Sequence, residues 1–350
     1  MTGRTTRSAA IAVAFGLAVV TAYTQTRPGA EAKPLPGTPL RELAQAEGRR
    51  VGTAVQARAL ERDRAYGQLV AGQFSSVTPE NEMKWDVVAP EQGTFEFGPA
   101  DEIVGRAHDA GQVVRGHTLV WHSQTPGWLG PLDAEELRAA MLEHIARVAG
   151  HFRGRVATWD VVNEAITDRG RLRRSVFLQR LGPGYVAQAF RAAREADPDA
   201  KLFINDFGIE GINPKSDRLY ALVRELKAQG APVDGVGFQM HVNLKGVPAD
   251  FAANLRRFVA LGVEVAVTEA DVALRQPASE GDLAAQARVF TDALRGCLEV
   301  AKCRSFTFWG FTDSRSWIPE NQPGFGRATL LDSRLRPKPA YEAVQRALGP

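Results

Sequence analysis

Short apolar segments alternate with longer amphipathic segments along most of the chain, and this alternation restricts the folds that the chain can adopt. Eight segments have the length and apolar content of strands, at residues 51–55, 75–78, 113–119, 157–162, 201–204, 235–238, 264–268 and 305–309. Six helical patterns lie among or after them, at residues 134–151, 186–197, 216–229, 249–261, 283–300 and 340–348. Eight strands that alternate with helices or long loops predict a single domain of the α/β class, a (β/α)8 TIM barrel.

Local motifs favour the barrel over its alternative, a doubly wound open sheet. No Gly-x-Gly-x-x-Gly follows the first predicted strand and no Walker loop occurs, so nucleotide binding has no support. Asp133 and Ser216 each precede an apolar-periodic segment and are predicted to be helix N-caps.

The start of the chain has the pattern of an export signal. Arg4 and Arg7 precede an almost wholly apolar segment, residues 11–20, which is shorter than the roughly 20 apolar residues that span a bilayer. Cleavage is predicted after Ala22, with Ala30 and Ala32 as further sites; an uncleaved N-terminal anchor is the alternative. The expected organisation is a signal peptide and the start of a linker, a Pro-rich linker, and a catalytic barrel domain, at residues 1–32, 33–39 and 40–350.

Export changes what the charge and the cysteines imply. The formal net charge is +3, and loss of residues 1–22, with two arginines and no acids, would leave 3 − 2 = +1. A surplus this small is not the footprint of a nucleic-acid partner. An oxidising compartment favours a local disulfide between Cys297 and Cys303, with two buried free thiols as the alternative.

Aromatic and polar side chains follow the predicted strands directly. The six tryptophans are Trp85, Trp121, Trp128, Trp159, Trp309 and Trp317. The polar residues in the same segments are Glu80, Asn81, Lys84, His117, His122, Gln124, Asp160, Asn163, Glu164, Asn205, Asp206, Gln239, His241, Glu269 and Asp271. The carboxyl ends of barrel strands share one face, where active sites are built. Flat apolar walls with polar edges suit a polysaccharide, although core packing is the alternative for any single tryptophan.

Two acids stand out within this set. Glu164 ends the fourth predicted strand and Glu269 ends the seventh, and an unpaired carboxylate beside a buried strand is energetically expensive. Two acids facing each other across a barrel mouth can hydrolyse a glycoside, one as the acid and one as the nucleophile. The alternative is that each acid caps or pairs with a neighbouring element.

Metal and serine chemistry find less support in the sequence. His117 and His122 flank a predicted strand end, but no His-x-His or His-Glu-x-x-His motif occurs. The Gly-x-Ser-x-Gly elbow of serine hydrolases is also absent from the sequence. We therefore expect neither a metal nor another cofactor.

Six segments, in this order, closely resemble the signature stretches of glycoside hydrolase family 10, whose members are mainly endo-1,4-β-xylanases. They are residues 78–85 (TPENEMKW), 115–124 (RGHTLVWHSQ), 159–165 (WDVVNEA), 237–241 (GFQMH), 268–271 (TEAD) and 309–317 (WGFTDSRSW). The resemblance extends from about residue 40 to the C-terminus.

This resemblance implies a retaining hydrolase with assigned residue roles. Glu164 matches the general acid/base and Glu269 the nucleophile, and retention needs their carboxyl groups about 5–5.5 Å apart. His241 matches the histidine that bonds the nucleophile, and Asp271 would orient that histidine. Asn163 matches the residue that contacts the sugar 2-hydroxyl.

The resemblance also implies the ligand. The implied sugar contacts are Glu80, Asn81, Lys84, His117, Trp121, Gln124, Gln239, Trp309 and Trp317. The room around Lys84, Trp309 and Trp317 would decide between xylose and a sugar that carries a C6 group. The predicted partners are xylan and xylo-oligosaccharides, without nucleic acid or stable membrane association after processing, and we expect a monomer. Several family members also carry a disulfide where Cys297 and Cys303 occur.

Two segments depart from the family pattern. Residues 205–210 read NDFGIE where many members have Asn-Asp-Tyr-Asn, so Phe207 lacks a hydroxyl and Gly208 an amide on the leaving-group side. Residues 268–271 read TEAD rather than the commoner TELD. The alternatives are therefore a related β-1,4-glycanase or aryl glycosidase, or a non-catalytic carbohydrate-binding protein, which would need neither Glu164 nor Glu269.

Overall fold

Helices and strands alternate along the computed structural model, which describes residues 31–349. The strands are β1 (Arg50–Val55), β2 (Ser76–Pro79), β3 (Val113–Val120), β4 (Thr158–Asn163), β5 (Lys201–Asp206), β6 (Gly235–Phe238), β7 (His241–Asn243), β8 (Glu264–Arg275), β9 (Cys303–Phe308) and β10 (Phe325–Gly326). The helices are α1 (Leu40–Ala46), α2 (Ala57–Arg62), α3 (Arg64–Gln73), α4 (Trp85–Val88), α5 (Gly98–Asp109), α6 (Ala134–His151), α7 (Val176–Leu181), α8 (Tyr185–Ala196), α9 (Pro214–Ala228), α10 (Phe251–Val259), α11 (Glu280–Leu298), α12 (Ile318–Asn321) and α13 (Pro339–Leu348).

Eight of these strands form a closed parallel barrel. The pairing runs β1–β2–β3–β4–β5–β6–β8–β9, and β9 pairs back with β1. Nearly every strand residue is buried, as expected for parallel strands that are covered on both faces. The predicted (β/α)8 TIM barrel is confirmed.

The seventh barrel strand differs from its prediction. Strand β8 continues to Arg275, well beyond the predicted end at residue 268, because β7 and β10 pair with its second half. Glu269 therefore lies inside a long strand and not at a strand end. Its N–H donates to the Gln239 carbonyl at 2.9 Å, and the next two residues, Ala270 and Asp271, pair with β9 and β7.

Helix starts follow their capping residues. Asp133 caps α6 as predicted, in a capping box with Glu136. The predicted N-cap at Ser216 is wrong: α9 begins at Pro214 and its N-cap is Asn213. Proline is favoured in the first turn because it needs no N–H partner there, and Ser216 instead bonds back to Asn213 from the third helical position.

Several helices early in the chain have no counterpart in the sequence prediction. Helix α3 contains Gly67 and Gly72, and α5 starts with Gly98 and Pro99, so their intrinsic helix propensity is weak. Both helices bury an apolar face against the barrel, and this packing stabilises them.

A disulfide joins Cys297, near the end of α11, to Cys303, at the start of β9. Both residues are buried, and the structure contains no free cysteine within residues 31–349. The predicted local disulfide is confirmed.

The N-terminal predictions remain predictions. The signal peptide lies outside the described residues. Residues 33–39, the predicted linker, have no regular secondary structure, and Gln345 of α13 donates to the carbonyls of Pro36 and Thr38 at 2.7 and 2.8 Å. Within residues 31–349, no helix has the length and apolar character needed to cross a bilayer.

Candidate active site

A cleft of about 890 Å³ lies at the carboxyl end of the barrel strands. The predicted site residues that line it are Glu80, Asn81, Lys84, His117, Trp121, Gln124, Asn163, Glu164, Gln239, His241, Glu269, Trp309 and Trp317. Asp271 is buried behind His241 and does not line the cleft. The structure thus brings the predicted residues together from the ends of six barrel strands and the loops that follow them.

Glu269 is held by a donor on each carboxylate oxygen. The Asn205 side-chain amide donates to Oε1 at 2.7 Å, and Nε2 of His241 donates to Oε2 at 3.1 Å. Burial opposes ionisation, but the hydrogen bond from His241 and the positive charge around the carboxylate lower the pKa of Glu269. Glu269 is therefore an anion in the resting site.

His241 bridges two carboxylates. Its Nδ1 donates to Asp271 at 2.9 Å while its Nε2 faces Glu269, so both ring nitrogens carry protons. Burial would lower the pKa of His241, but the charges and hydrogen bonds of Asp271 and Glu269 outweigh burial and raise it well above the usual range. The indole of Trp317 also donates to Asp271, at 2.7 Å, which fixes the far end of this chain of contacts.

Glu164 has a different environment. It follows the last residue of β4 with a left-handed φ of 55°, which is uncommon for a residue other than glycine. Its N–H donates to the Asn205 carbonyl at 2.8 Å, and its own carbonyl accepts from Arg173 at 2.8 Å. These bonds hold the unusual backbone conformation that directs the carboxyl group into the cleft.

The carboxyl group of Glu164 receives only long contacts. The amides of Asn163 and Gln239 donate to it at 3.4 and 3.3 Å, and Nδ1 of His122 lies 3.8 Å away. Burial lowers the pKa of His122, which keeps that imidazole neutral near neutral pH. Glu164 therefore lacks the charged donor that holds Glu269.

Three amides connect the two acids. The side chains of Asn205 and Gln239 both donate to the Asn163 oxygen, at 2.9 and 3.2 Å. Asn205 also contacts Glu269, and Gln239 also contacts Glu164. This amide network sets the position of one carboxyl group relative to the other.

His117 belongs to a buried ionic chain. Its Nδ1 lies 3.1 Å from Asp160, and Asp160 accepts two hydrogen bonds from Arg115. Burial opposes the charge of Asp160, but Arg115 and His117 outweigh it and lower the pKa of Asp160. The ring of His117 stands edge-on to Trp309, with 5.2 Å between the centroids, so the chain fixes one side of the cleft.

Lys84 lies among polar cleft residues. Its ammonium donates to Asn81 at 3.0 Å and to Gln124 at 2.8 Å, and it lies 5.0 Å from the centre of the Trp121 ring. Burial lowers the pKa of Lys84, while the nearby Glu269 opposes that shift.

Glu80 completes this side of the cleft. It accepts a hydrogen bond from Gln56 at 2.8 Å, and burial raises the pKa of its carboxyl group. Glu80 and Lys84 thus place a carboxyl group and an ammonium group on the same side of the cleft.

Three of the six tryptophans lie in the cleft, and they are the three that the family resemblance implies as sugar contacts. Trp121, Trp309 and Trp317 line the cleft. Trp159 is fully buried and donates to Asp197 at 3.2 Å, while Trp85 is buried against His144. Trp128, the sixth, lies beside Trp85 on the flank of the barrel and not in the cleft.

Several site residues were not assigned a role from the sequence. Asn205, Asp160 and His122 stand at strand ends among other polar residues, and that signal points to them. Gln56 directly follows the first predicted strand, so the same signal points to it, whereas Arg173 lies in a loop and no signal in the sequence identifies it.

One phenylalanine, Phe207, also lines the cleft. The ammonium of the buried Lys215 lies 3.3 Å from the centre of the Phe207 ring. Lys215 pairs with buried Asp206 at 3.1 Å and with exposed Asp168 at 3.2 Å. Gly208 has a φ of 65°, a conformation that glycine adopts without strain.

A TIM barrel whose mouth holds one clamped carboxylate, one loosely held carboxyl group and three tryptophan faces defines a glycoside hydrolase. Residues 39–347 match the family described as glycosyl hydrolase family 10. The chain belongs to that family.

Relatives and solved structures agree with this assignment. The chain is 42% identical over 284 residues to endo-1,4-beta-xylanase B of Thermotoga neapolitana, covering 80% of this chain and 82% of that protein. Native xylanase 10B of Thermotoga maritima superposes with a TM-score of 0.87 at 43% identity, over 89% of this chain and 98% of the other. Xylanase 10B of Thermotoga petrophila in complex with xylobiose gives 0.87 at 42% identity, over 90% and 98%.

Proposed function

We propose that this protein is a retaining endo-1,4-β-xylanase that hydrolyses internal β-1,4-xylosidic bonds of xylan. The observation that carries this proposal is the contrast between the two acids in one cleft. Glu269 is clamped as an anion by Asn205 and protonated His241, whereas Glu164 has only long contacts. Two carboxyl groups in opposed environments are the arrangement that separates a nucleophile from an acid/base.

In the first step, Glu164 gives its proton to the glycosidic oxygen while Glu269 attacks the anomeric carbon. The C–O bond to the leaving sugar breaks, and a covalent glycosyl-enzyme forms on Glu269. In the second step, Glu164 takes a proton from water, the water oxygen attacks the same carbon, and Glu269 leaves as a carboxylate. Two inversions give net retention.

The surrounding residues support these steps. The charge of His241 stabilises Glu269 as the leaving group of the second step, and Asp271 keeps both ring nitrogens of His241 protonated. Asn163, next to Glu164 in the amide network, is assigned to the sugar 2-hydroxyl, a contact that strengthens in the transition state.

The cleft divides into two halves beside the acids. The glycone half contains Glu80, Asn81, Lys84, Gln124, Trp309 and Trp317. The aglycone half contains Phe207, with Lys215 and Arg173 behind it. The proposal expects this half to have little room for a C6 group, which xylose lacks. The relatives named endo-1,4-beta-xylanase and the xylobiose complex support the same substrate class.

A product profile tests this function. Xylan, arabinoxylan and carboxymethylcellulose are digested separately, and NMR follows the anomeric configuration of the first products. The proposal expects short xylo-oligosaccharides whose new reducing ends are β. Initial α products would refute retention, faster release from carboxymethylcellulose would favour a related glycanase, and no release at all would favour a binding protein.

We further propose that the protein is exported and processed near residue 22. The charged and apolar pattern of residues 1–20 and the Cys297–Cys303 disulfide support this, because disulfides persist in oxidising compartments. N-terminal sequencing of the protein recovered outside the cell tests it, and an intact Met1 would contradict it. The expected monomer also stays a prediction, which light scattering in solution can check.

A further inference from the structure

A large cavity opens at the amino end of the barrel strands, opposite the catalytic cleft. It has a volume of about 650 Å³, and residues at the starts of β1, β2, β3, β4, β5, β8 and β9 line it. Layers of bulky branched side chains usually fill the interior of a TIM barrel. The lining here includes the small side chains of Ser76, Thr158, Ala266, Ser305 and Thr307 instead. We call this space the base cavity.

The lining of the base cavity is rich in arginine. The arginines are Arg41, Arg49, Arg50, Arg115 and Arg304. The one acid in the lining, Glu264, pairs with Arg304 at 3.1 Å, and Asp160 pairs with Arg115. The other three arginines have no carboxylate partner within residues 31–349, and Arg41 and Arg49 donate to backbone carbonyls. A concave surface with an excess of one charge sign attracts counter-ions, so the base cavity is suited to an anion.

Arg115 supplies a buried donor to the base cavity. The residue is 6% exposed, its Nε and Nη2 both donate to Asp160, and the ring of Phe203 lies 4.8 Å from its guanidinium carbon. Its third nitrogen, Nη1, makes no hydrogen bond within residues 31–349, and it is not among the unpaired polar atoms that lack accessible surface. A guanidinium carries five N–H donors in a fixed fork, so one nitrogen of Arg115 remains for a ligand in the cavity.

Two buried hydroxyl groups add neutral donors. Ser76 and Thr307 are 6% and 2% exposed, and both line the base cavity. Neither hydroxyl makes a hydrogen bond within residues 31–349, and neither oxygen is among the unpaired polar atoms that lack accessible surface. Gly52 pairs with both residues in the sheet, and a Cβ atom at this glycine would lie only 2.8 Å from Oγ1 of Thr307. The glycine therefore leaves that oxygen uncovered, and buried hydroxyls without a protein partner indicate a polar ligand.

We propose that the base cavity binds a tetrahedral oxyanion such as phosphate. Nη1 of Arg115 and the hydroxyls of Ser76 and Thr307 donate to its oxygens, and Arg50 balances its charge from the mouth of the cavity. These donors come from three strands, β2, β3 and β9, which suits an ion whose oxygens point in several directions. Hydrogen bonds to an ionised acceptor are roughly twice as strong as those between neutral groups. The inference does not depend on the proposed catalytic function.

Titration of the intact enzyme with inorganic phosphate tests the site, with sodium chloride of equal ionic strength as the reference. The thermal midpoint should rise with phosphate and then saturate, because a ligand that binds only the folded chain stabilises it. The backbone amide NMR signals of Gly52, Ser76 and Thr307 should shift over the same range of concentration. The indole signals of Trp309 and Trp317, in the cleft at the other end of the barrel, should stay in place.

Three variants test the location. Thr307→Val keeps the shape of the side chain and should weaken phosphate binding about tenfold, while its thermal midpoint in chloride should not fall, since the lost hydroxyl has no protein partner. Arg50→Gln removes a charge at the mouth and should weaken binding about threefold. Arg58→Gln removes an exposed arginine of α2 that lines neither the base cavity nor the cleft, and it should bind as the parent does. If Thr307→Val fails to fold, Ser76→Ala makes the same test.

Glycerol 3-phosphate distinguishes a free ion from the end of a larger molecule. Tighter binding than that of inorganic phosphate would support the site and assign an ester to it, and equal or weaker binding would support the site and assign the free ion. Two results would overturn the proposal. One is a thermal midpoint that depends on ionic strength alone, equally in phosphate and in chloride; the other is parental affinity for phosphate in both Thr307→Val and Arg50→Gln.

Discussion

Two buried lysines lie at the cleft, but Lys84 lines it whereas Lys215 does not. Lys84 lines the glycone half directly and is held by Asn81 and Gln124, so its ammonium can meet a sugar hydroxyl. Lys215 contacts the ring of Phe207 and pairs with Asp206, and Phe207 but not Lys215 lines the cleft. Under the proposed function, the glycone half would therefore orient a sugar by polar contacts, and the aglycone half would stack against one.

This difference assigns separate tasks to the two halves. Hydrogen bonds to a charged group contribute about 1.5–3 kcal/mol each and depend on direction. Stacking on an aromatic ring contributes less and tolerates different orientations. We therefore expect strict recognition of the sugar that becomes the glycosyl-enzyme, and tolerant recognition of the sugar that leaves.

The largest effect is expected where both halves meet, at Glu269. Glu269→Ala removes the proposed nucleophile and should lower kcat on every substrate by about 10⁴-fold or more, because neither half can replace the covalent step. Steady-state rates on xylan and on β-xylobiosyl fluoride measure the loss.

Glu320→Ala is the matched control for that variant, because it removes an exposed carboxylate from the rim of the same cleft. It should lose less than about tenfold. Turnover by Glu269→Ala within tenfold of the parent, in protein with a cooperative thermal transition, would refute the nucleophile assignment.

The next prediction concerns the proposed acid, Glu164, and depends on which group leaves from the aglycone half. Glu164→Ala should lower kcat/KM on xylan by about 10²- to 10⁴-fold, because the leaving sugar then departs without a proton. Aryl xylobiosides with acidic phenols should lose far less in the first step, since such groups leave as anions. A comparison of kcat/KM on both substrates measures the difference, and equal losses would contradict the acid role.

Lys84→Met tests the polar recognition of the glycone half. It keeps the length of the side chain but removes its charge, so activity on xylan and on β-xylobiosyl fluoride should fall together by about 10- to 100-fold. Lys201→Met, at the start of β5 and exposed, is the control and should match the parent. A loss on xylan alone would place the contribution of Lys84 outside the glycone half.

The barrel follows from the sequence because its signals are local. Buried parallel strands are short apolar segments, and capping residues such as Asp133 mark where helices begin. The length of β8 does not follow from the sequence. Its second half is stabilised by pairing with β7 and β10, two short strands that the sequence does not predict.

The strand pattern alone does not predict which tryptophans line the cleft. Trp85 and Trp121 both follow predicted strands, yet one stacks on His144 behind the cleft wall and the other lines the cleft. At the start of α4, Lys84 faces the cleft and Trp85 faces away from it. Hydrophobic periodicity does not predict this turn of the chain. The position of Asn205 at a strand end indicates a site residue. Arg173 contacts Glu164 from a loop, and nothing in the sequence of that loop indicates such a contact.

Lys215→Met tests the stacking half, with a smaller expected effect. Without the ammonium behind it, Phe207 loses the group that fixes its ring, so cleavage of xylotetraose should weaken about three- to tenfold, mainly in KM. β-Xylobiosyl fluoride places no sugar on the aglycone half and should react at the parental rate. Lys227→Met, exposed on the same helix α9, is the control. Equal losses on both substrates would show that Lys215 does not act through the aglycone half.

The last effect concerns stability and not activity, and it comes from the partner of Lys215. Burial raises the pKa of Asp206 to about 7, although the charge of Lys215 opposes this shift. The unfolded value is about 3.9, so between these values the folded chain keeps a proton that the unfolded chain releases. The free energy of unfolding should therefore fall as pH rises from about 4 to 7, by at most about 4 kcal/mol, and this contribution should level off above pH 7.

Asp206→Asn cannot titrate, so its thermal midpoint should fall less steeply than that of the parent between pH 5 and pH 7. Asp199→Asn, an exposed acid on the loop before β5, should keep the parental slope. The slope is the informative quantity, because the amide also weakens the bonds that Asp206 accepts from the backbone of Ile166 and Phe207. Parallel slopes for Asp206→Asn and the parent would mean that Asp206 stays ionised beside Lys215, and the aglycone half would then rest on a permanent ion pair.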